Sequence, residues 1–310
     1  MPPQVAKRPY AKPALAPVDL LAHLVARGLS IPDPAAALHA LEYVGYYRLL
    51  VYMRPFQQVD AARGMPAFVP GTTFHDVLRL YEFDRELRLL CLNAVERVEV
   101  ALRSAIVTQV AVPHGPHFFM DTQHFERLSA FVEFYQTACR DKKYLAIRHF
   151  EHHYSSPELA PIWAIMETIT YGALSRLFSG LRIAHRKSVA QRFGYDEKVL
   201  SSWFRSLNLL RNMCAHHNRL WNAPMNVDQP MAAKRLLPEL GRTDLFYARA
   251  VVLAELLEMI EPASDWKRRL KALLDRYPDV PTSTMGFPAD WRARPFWEGG
   301  RGAIAGAAAN

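Results

Sequence analysis

A chain of 310 residues, half of them hydrophobic and 22% charged, can bury a substantial core as one large or two modest domains. Its three cysteines, Cys91, Cys139 and Cys214, stand far apart without paired spacing, which argues against a disulfide framework or a cysteine zinc site and fits a reducing compartment. The formal charge of +8 favours an acidic partner such as RNA or DNA; no apolar run is long enough to cross a bilayer and the start, MPPQVAKRPYAKPALAP, has no hydrophobic signal core, so an unprocessed cytoplasmic protein is expected.

Residues 1–16 read as a flexible basic arm carrying Lys7, Arg8 and Lys12. An N-terminal helical subdomain follows over 17–72. Its first helix runs from Val18 to Arg27 and stops at Gly28; its second, with Asp33 as N-cap and Pro34 in the first turn, runs from Ala35 to Tyr47. The tyrosines of LEYVGYYRLLVYMRPF (41–56) could stack on RNA bases beside Arg48 and Arg54, but packing against a helical core is the simpler reading. Gly64, Pro66, Pro70 and Gly71 make 57–73 a loop, with one short strand at Ala67 to Val69.

Thr72 or Thr73 opens the longest helical pattern, Phe74 to about Val112, with room for one break. Within it Glu96, Glu99 and Arg103 sit on neighbouring turns, where ion pairs are the simplest reading and a paired-carboxylate metal site the sharper one. Residues 113–117 form a turn. Phe125 to Phe150 is one or two helices ending in Arg140, Lys142, Lys143 and Arg148. His149 and His153 would share a helix face; a fourth ligand is missing, so a basic edge facing RNA, or plain surface, is favoured over a metal. PIWAIMETITYGALSRLF (161–178) reads as a central core helix, and Arg182, His185, Arg186, Lys187 and Arg192 form the densest basic cluster outside the motif described next. Placed beside the Arg211 face, that cluster would line a groove for an RNA strand.

After the 193–196 turn, with Ser201, Trp203 and Phe204 as anchors, SLNLLRNMCAHHNRLWN (206–222) reads as one continuous helix. At about 100° per residue, Asn218, Arg211, Ala215, Asn208, Arg219, Asn212 and His216 share an arc of about 160°. His217 falls instead among the apolar residues. A wide polar face is ordinarily a solvated surface. This one lacks the Glu and Lys of such surfaces and offers a guanidinium, amides and an imidazole, a set suited to holding a phosphate and moving a proton beside it. Residues 223–242 are loop-like. Thr243 caps a long apolar helix, Asp244 to Ile260, and Ser264 to Arg276 forms the last. From Pro278 a Pro/Gly/Ala-rich tail carries Trp291 and Trp297 as isolated residues and loses order from about 298.

Arg211-Asn212-Met213-Cys214-Ala215-His216 matches the R-x4-H signature of HEPN-type ribonucleases, and the longer RNMCAHHNRLWN resembles the Abi-like proteins of bacterial abortive infection, of the AbiD/AbiF type. GYYRL at 45–49, YEFDRELR, ERVEVALR and PIW with Glu167 and Gly172 are similar to parts of the same family, so the resemblance covers roughly 15 to 275. It implies an all-α fold: a helical bundle of HEPN type over 73–277 behind the N-terminal subdomain. It also implies a metal-independent, cofactor-free endoribonuclease toxin, in which Arg211 and Asn212 grip the scissile phosphate and His216 moves the proton. Asn208, Arg219, Arg182, Arg186 and Lys187 would contact RNA. Because one imidazole cannot easily be acid and base at once, and the chain offers one convincing R-x4-H, a homodimer with a composite site is expected. The family further suggests restraint by a small antitoxin RNA. The rival reading is a non-catalytic RNA-binding module using the same polar face; a third is a structural dimerisation protein with a satisfied core histidine.

Overall fold

A computed structural model describes residues 9, 13–60, 65–140 and 143–298. Lys7, Arg8 and Lys12 of the expected arm, Gly64, Lys142 and residues 299–310 lie outside the described residues. The fold is all-α apart from one short hairpin, and the chain forms two compact units, Met1–Phe83 and Asp84–Asn310.

In the first unit, α1 (Pro17–Ala26) is followed by α2 (Pro34–Tyr43), whose N-cap Asp33 accepts from Ala36 N at 2.9 Å. The single helix expected over 35–47 is broken. Gly45 adopts φ 90°, a conformation costly for any residue with a Cβ, and a new helix, α3 (Tyr46–Met53), starts beyond it. That turn divides the tyrosines: Tyr52 is buried as packing requires, whereas Tyr43 and Tyr47 are exposed. A hairpin, β1 (Gln57–Asp60) against β2 (Met65–Phe68), replaces the loop with one strand, and Phe68 N is tied back to Arg27 O at 2.9 Å. Thr73 opens α4 (Phe74–Ile106) through a reciprocal cap: Asp76 accepts from Thr73 N and Oγ1, and Thr73 Oγ1 accepts from Asp76 N.

In the second unit, α4 runs on to Ile106 and ends in a π turn (Val107–Ala111) before the short α5 (Val112–His114). The 125–150 region is two helices, α6 (Leu128–Arg140) and α7 (Leu145–His153). The core helix expected over 161–178 is also two, α8 (Ile162–Met166) and α9 (Tyr171–Gly180), because Thr170 leaves the helical conformation to accept from Ala173 N as an N-cap. Beyond them come α10 (Ile183–Gln191), α11 (Glu197–Ala215), α12 (Phe246–Ile260) and α13 (Trp266–Arg276).

The central helix of this unit is α12, in which every residue from Phe246 to Leu257 is buried. FYARAVVLAELL is apolar on nearly all sides, the pattern of a helix surrounded by others. Thr243 does not cap it; its hydroxyl donates to Gln229 Oε1 at 2.6 Å. Residues 278–298 are not a tail either. Trp291 and Trp297 are buried around Phe287 and Tyr247, Trp297 Nε1 donates to Tyr247 Oη at 2.9 Å, and α14 (Pro295–Glu298) closes the described chain. The indole N–H found a partner inside the core, which composition alone could not foretell.

Candidate functional site

Helix α11 begins where Asp196 accepts from Lys198 N at 2.8 Å, and it buries Trp203, Phe204, Leu207, Leu210 and Cys214 along one side. The expected anchors hold: Ser201, Trp203 and Phe204 are buried, and Trp203 Nε1 donates to Met231 O at 2.8 Å. The adjoining side carries Asn208, Arg211 and Asn212, all half-buried, with Arg211 one turn beyond Leu207.

The helix stops at Ala215, short of the expected Asn222. His216 is the C-cap, and His217 turns to φ 59°. Asn218 N then reaches back to Met213 O at 2.7 Å and His217 N to Cys214 O at 3.0 Å. This pair of bonds is the Schellman closure, which needs a left-handed residue and is usually announced by glycine. Here a histidine takes the position, and no glycine warns of the stop.

The early stop divides the predicted polar arc. His216 N still donates to Asn212 O at 3.0 Å, so Asn208, Arg211, Asn212 and His216 keep helical spacing at the end of α11, with His216 exposed. Arg211 Nη1 lies 3.5 Å from Asn212 Oδ1, at the outer limit of a hydrogen bond. Asn218 and Arg219 leave the arc, because they lie beyond the closure; Arg219 Nη2 donates to Asn222 O at 3.1 Å within the following loop. His217, expected to pack, is exposed for the same reason, while Trp221 packs as expected.

What holds this chain reversal is a carboxylate inside the fold. Asp84 on α4 is wholly buried; it pairs with Arg88 one turn along and accepts from Leu220 N at 3.0 Å and Trp221 N at 2.7 Å. Its signal was present in the sequence: an acid and a base four residues apart, flanked by the apolar Phe83, Leu87 and Cys91 on the face that α4 buries. Cys214, inside the motif, hydrogen-bonds with Cys91 of α4. Burial first, and then that contact, push the Cys91 thiol well above its usual range, so it packs as an apolar group and is no nucleophile.

Helix α9 lies against the polar side of α11. A Cβ on Gly172 would meet Asn208 Oδ1 at 3.1 Å, so this position keeps the two helices close. Upstream, Arg103 pairs with Glu99 at 2.5 Å, the ion pair that the spacing predicts, and reaches Glu167 at 3.6 Å and Ile169 O at 3.2 Å.

Arg186 and Lys187 lie on α10 and Arg182 at its N-cap, and α10 packs against both α11 and the π turn. Ser188 Oγ donates to Gln109 Oε1, Arg182 N donates to His124 O, and His185 Nε2 lies 3.0 Å from His124 Nδ1. With His114, whose ring lies 4.9 Å from that of His124 and 4.7 Å from that of His185, they form a three-imidazole cluster drawn from separate segments. Sequence spacing could not reveal it. Among the described residues no group of His, Cys, Asp and Glu is arranged to hold a metal ion. On α7, His149 and His153 do share a face, with ring centroids 4.2 Å apart, and His153 Nδ1 donates to His149 O. Arg148 and His153 repeat the spacing of Arg211 and His216, a coincidence that the sequence reading overlooked.

The class defined by these features is a mainly helical protein that presents an R-x4-H motif at the exposed end of a helix packed into the core along one side. The chain belongs to the Abi-like protein family, whose model matches residues 39–222, more than half of the chain, ending on the loop after the motif. That family connects it with abortive infection. No curated protein and no solved structure matches the chain. Among the described residues no helix is long and apolar enough to cross a membrane.

Two outcomes follow from this geometry. Replacing Asp84 by Ala removes the carboxylate that pairs with the buried Arg88 and accepts from the amides of Leu220 and Trp221. Stability measured by denaturant should fall by about 3–5 kcal/mol, and the Leu220 and Trp221 amides should exchange with solvent faster; unchanged exchange at both would contradict the role given to Asp84. The second concerns pH. Burial first, with repulsion from His114 and Arg182, holds the His124 and His185 imidazoles below their ordinary range. The unfolded chain therefore takes up protons before the folded one as pH falls, so stability should drop on going below pH about 6.5. Replacing both histidines by Gln should flatten that drop, and an unaltered slope in the double variant would count against the cluster.

Proposed function

We propose that this chain is a metal-independent endoribonuclease toxin acting in abortive infection, cutting RNA at the Arg211, Asn212 and His216 site. The observation that carries the reading is the R-x4-H motif at the end of α11, with His216 open to solvent, in a chain of the Abi-like family. The carbonyl end of a helix repels an anion, so a phosphate brought to His216 depends on the Arg211 guanidinium and the Asn212 amide to offset that field. These groups stabilise the charge that grows on the phosphorane oxygens.

In the reaction, the ribose 2′-oxygen attacks phosphorus as the bond from phosphorus to the 5′-oxygen breaks. One imidazole takes the 2′-hydroxyl proton and another returns a proton to the departing 5′-oxygen, leaving a 2′,3′-cyclic phosphate and a 5′-hydroxyl. His216 supplies one of these roles and His216 of the partner subunit the other, in a homodimer whose two motifs face across a two-fold axis. A small structured antitoxin RNA restrains the toxin through its basic surface. Arg182, Arg186 and Lys187 remain as RNA contacts on α10, organised around the histidine cluster.

The test is incubation of the protein with total RNA in excess EDTA. Wild type should yield 2′,3′-cyclic ends and spare DNA. His216→Ala and Arg211→Ala should each be slower by about 100-fold or more while remaining folded, and His153→Ala should cut normally. Cleavage by all variants would overturn the catalytic assignment, as would loss in His153→Ala alone. RNA binding without cleavage by wild type would establish the binding-module reading in its place.

A further inference from the structure

Between α7 and α8 lies an open groove of about 870 Å³. Leu145, His149, Phe150 and Tyr154 line it from α7 and its end, and Trp163 and Glu167 from α8 and its end. Leu145 is 82% exposed, Tyr154 57% and Trp163 51%, so large apolar side chains face water in one concave place. Concavity, a volume within the range of small-ligand sites and a few polar groups on an apolar wall are the features of a binding pocket.

Its chemistry narrows the occupant. Three large aromatic side chains, Phe150, Tyr154 and Trp163, stand among the prolines, alanines and Leu145 of the wall, and Phe150 and Tyr154 are themselves stacked with centroids 5.2 Å apart. Arg140, Lys143 and Arg148 are exposed on and beside α7, against the single carboxylate of that helix, Glu151. Aromatic faces for bases flanked by cations for phosphates are the recurring arrangement for a single nucleic-acid strand. Glu167, whose side chain is 70% exposed, has carboxylate oxygens able to accept from the amino and ring N–H groups of a base edge. The groove also lies near the motif. Gly172, which abuts Asn208, is five positions beyond Glu167, so the two are at most about 18 Å apart.

We propose that the groove between α7 and α8 is a nucleobase subsite, in which Trp163 and Tyr154 stack on an unpaired base of the RNA strand and Glu167 reads its edge. This rests on the ribonuclease reading and deepens it: the substrate is single-stranded around the cut, and it is held at a base a few nucleotides from the scissile phosphate. The cations of α7 hold the intervening backbone. Specificity then comes from this groove, because Arg211 and His216 touch only ribose and phosphate, which carry no sequence.

The assay measures binding and cleavage separately, on the full-length chain. In the His216→Ala background, the affinity for a labelled single-stranded oligoribonucleotide is compared with that of the added Trp163→Ala or Tyr154→Ala substitution, after melting curves confirm folding. Each added substitution should weaken binding about tenfold, while an abasic strand of equal length should bind the parent and the variants alike. Undiminished affinity in both variants overturns the groove, as does an equal loss on the abasic strand. Adenosine monophosphate, added as competitor, distinguishes the sources of the base: displacement only at far higher concentration than the strand supports the proposal, and displacement at equal concentration assigns the groove to a free nucleotide and overturns the strand. A chain that binds through its bases but never cuts leaves the groove standing without the nuclease. A chain that cuts, with binding indifferent to Trp163 and Tyr154, does the reverse.

Discussion

A single buried carboxylate fixes the end of the motif helix. Asp84 directs one oxygen to Arg88 and the other to the amides of Leu220 and Trp221, so an ionised side chain deep in the fold is neutralised and hydrogen-bonded at once. A buried charge is tolerable only on those terms. The consequence is local precision. The chain leaving α11 has to turn back within a few residues, and the closure at His217 lets Leu220 and Trp221 reach the carboxylate and sink into the core. Further on, the buried Arg249 collects the carbonyls of Met225 and Val227, while Met225 N donates to Asp244 O. Burial holds that guanidinium down at about 10, still charged at neutral pH. His216 is thus exposed on a segment fastened on both sides, the support that a site needs if its geometry is to survive thermal motion.

Much of the fold was legible because helical periodicity is a local property. Asp33, Thr73 and Gly28 mark termini by short-range chemistry, and the long pattern of α4 repeats apolar residues at every turn. The misreadings share a cause. Gly45 and Thr170 break helices that the apolar spacing alone would continue, since a cap or a left-handed residue competes with the helix using one or two residues that the pattern does not weigh. The tryptophans of 278–298 looked isolated because their partners, Phe287 and Tyr247, are set by tertiary packing.

At the site the division is sharper. Arg211, Asn212 and His216 were legible together because helical hydrogen bonding continues through the C-cap His216, whose N–H still donates to Asn212 O. Arg219 and His217 were not, since a closure without glycine moved everything after His216 off the arc. The histidine cluster depends on three segments meeting, which no spacing encodes. Asp84 and Arg88 could have been found, being opposite charges one turn apart on an apolar face.

In the proposed reaction a guanidinium and an amide hold the phosphate and an exposed imidazole moves the proton. That reaction needs a second imidazole, which the proposed homodimer would supply across its two-fold axis without a second motif. The most direct measurement mixes wild-type protomers with a rising excess of His216→Ala protomers, after dissociation and reassembly, and follows RNA cleavage. A composite site predicts that activity falls with the square of the wild-type fraction, because both copies must carry the imidazole. A fall in simple proportion to that fraction would show that each copy cuts alone and would contradict the shared site.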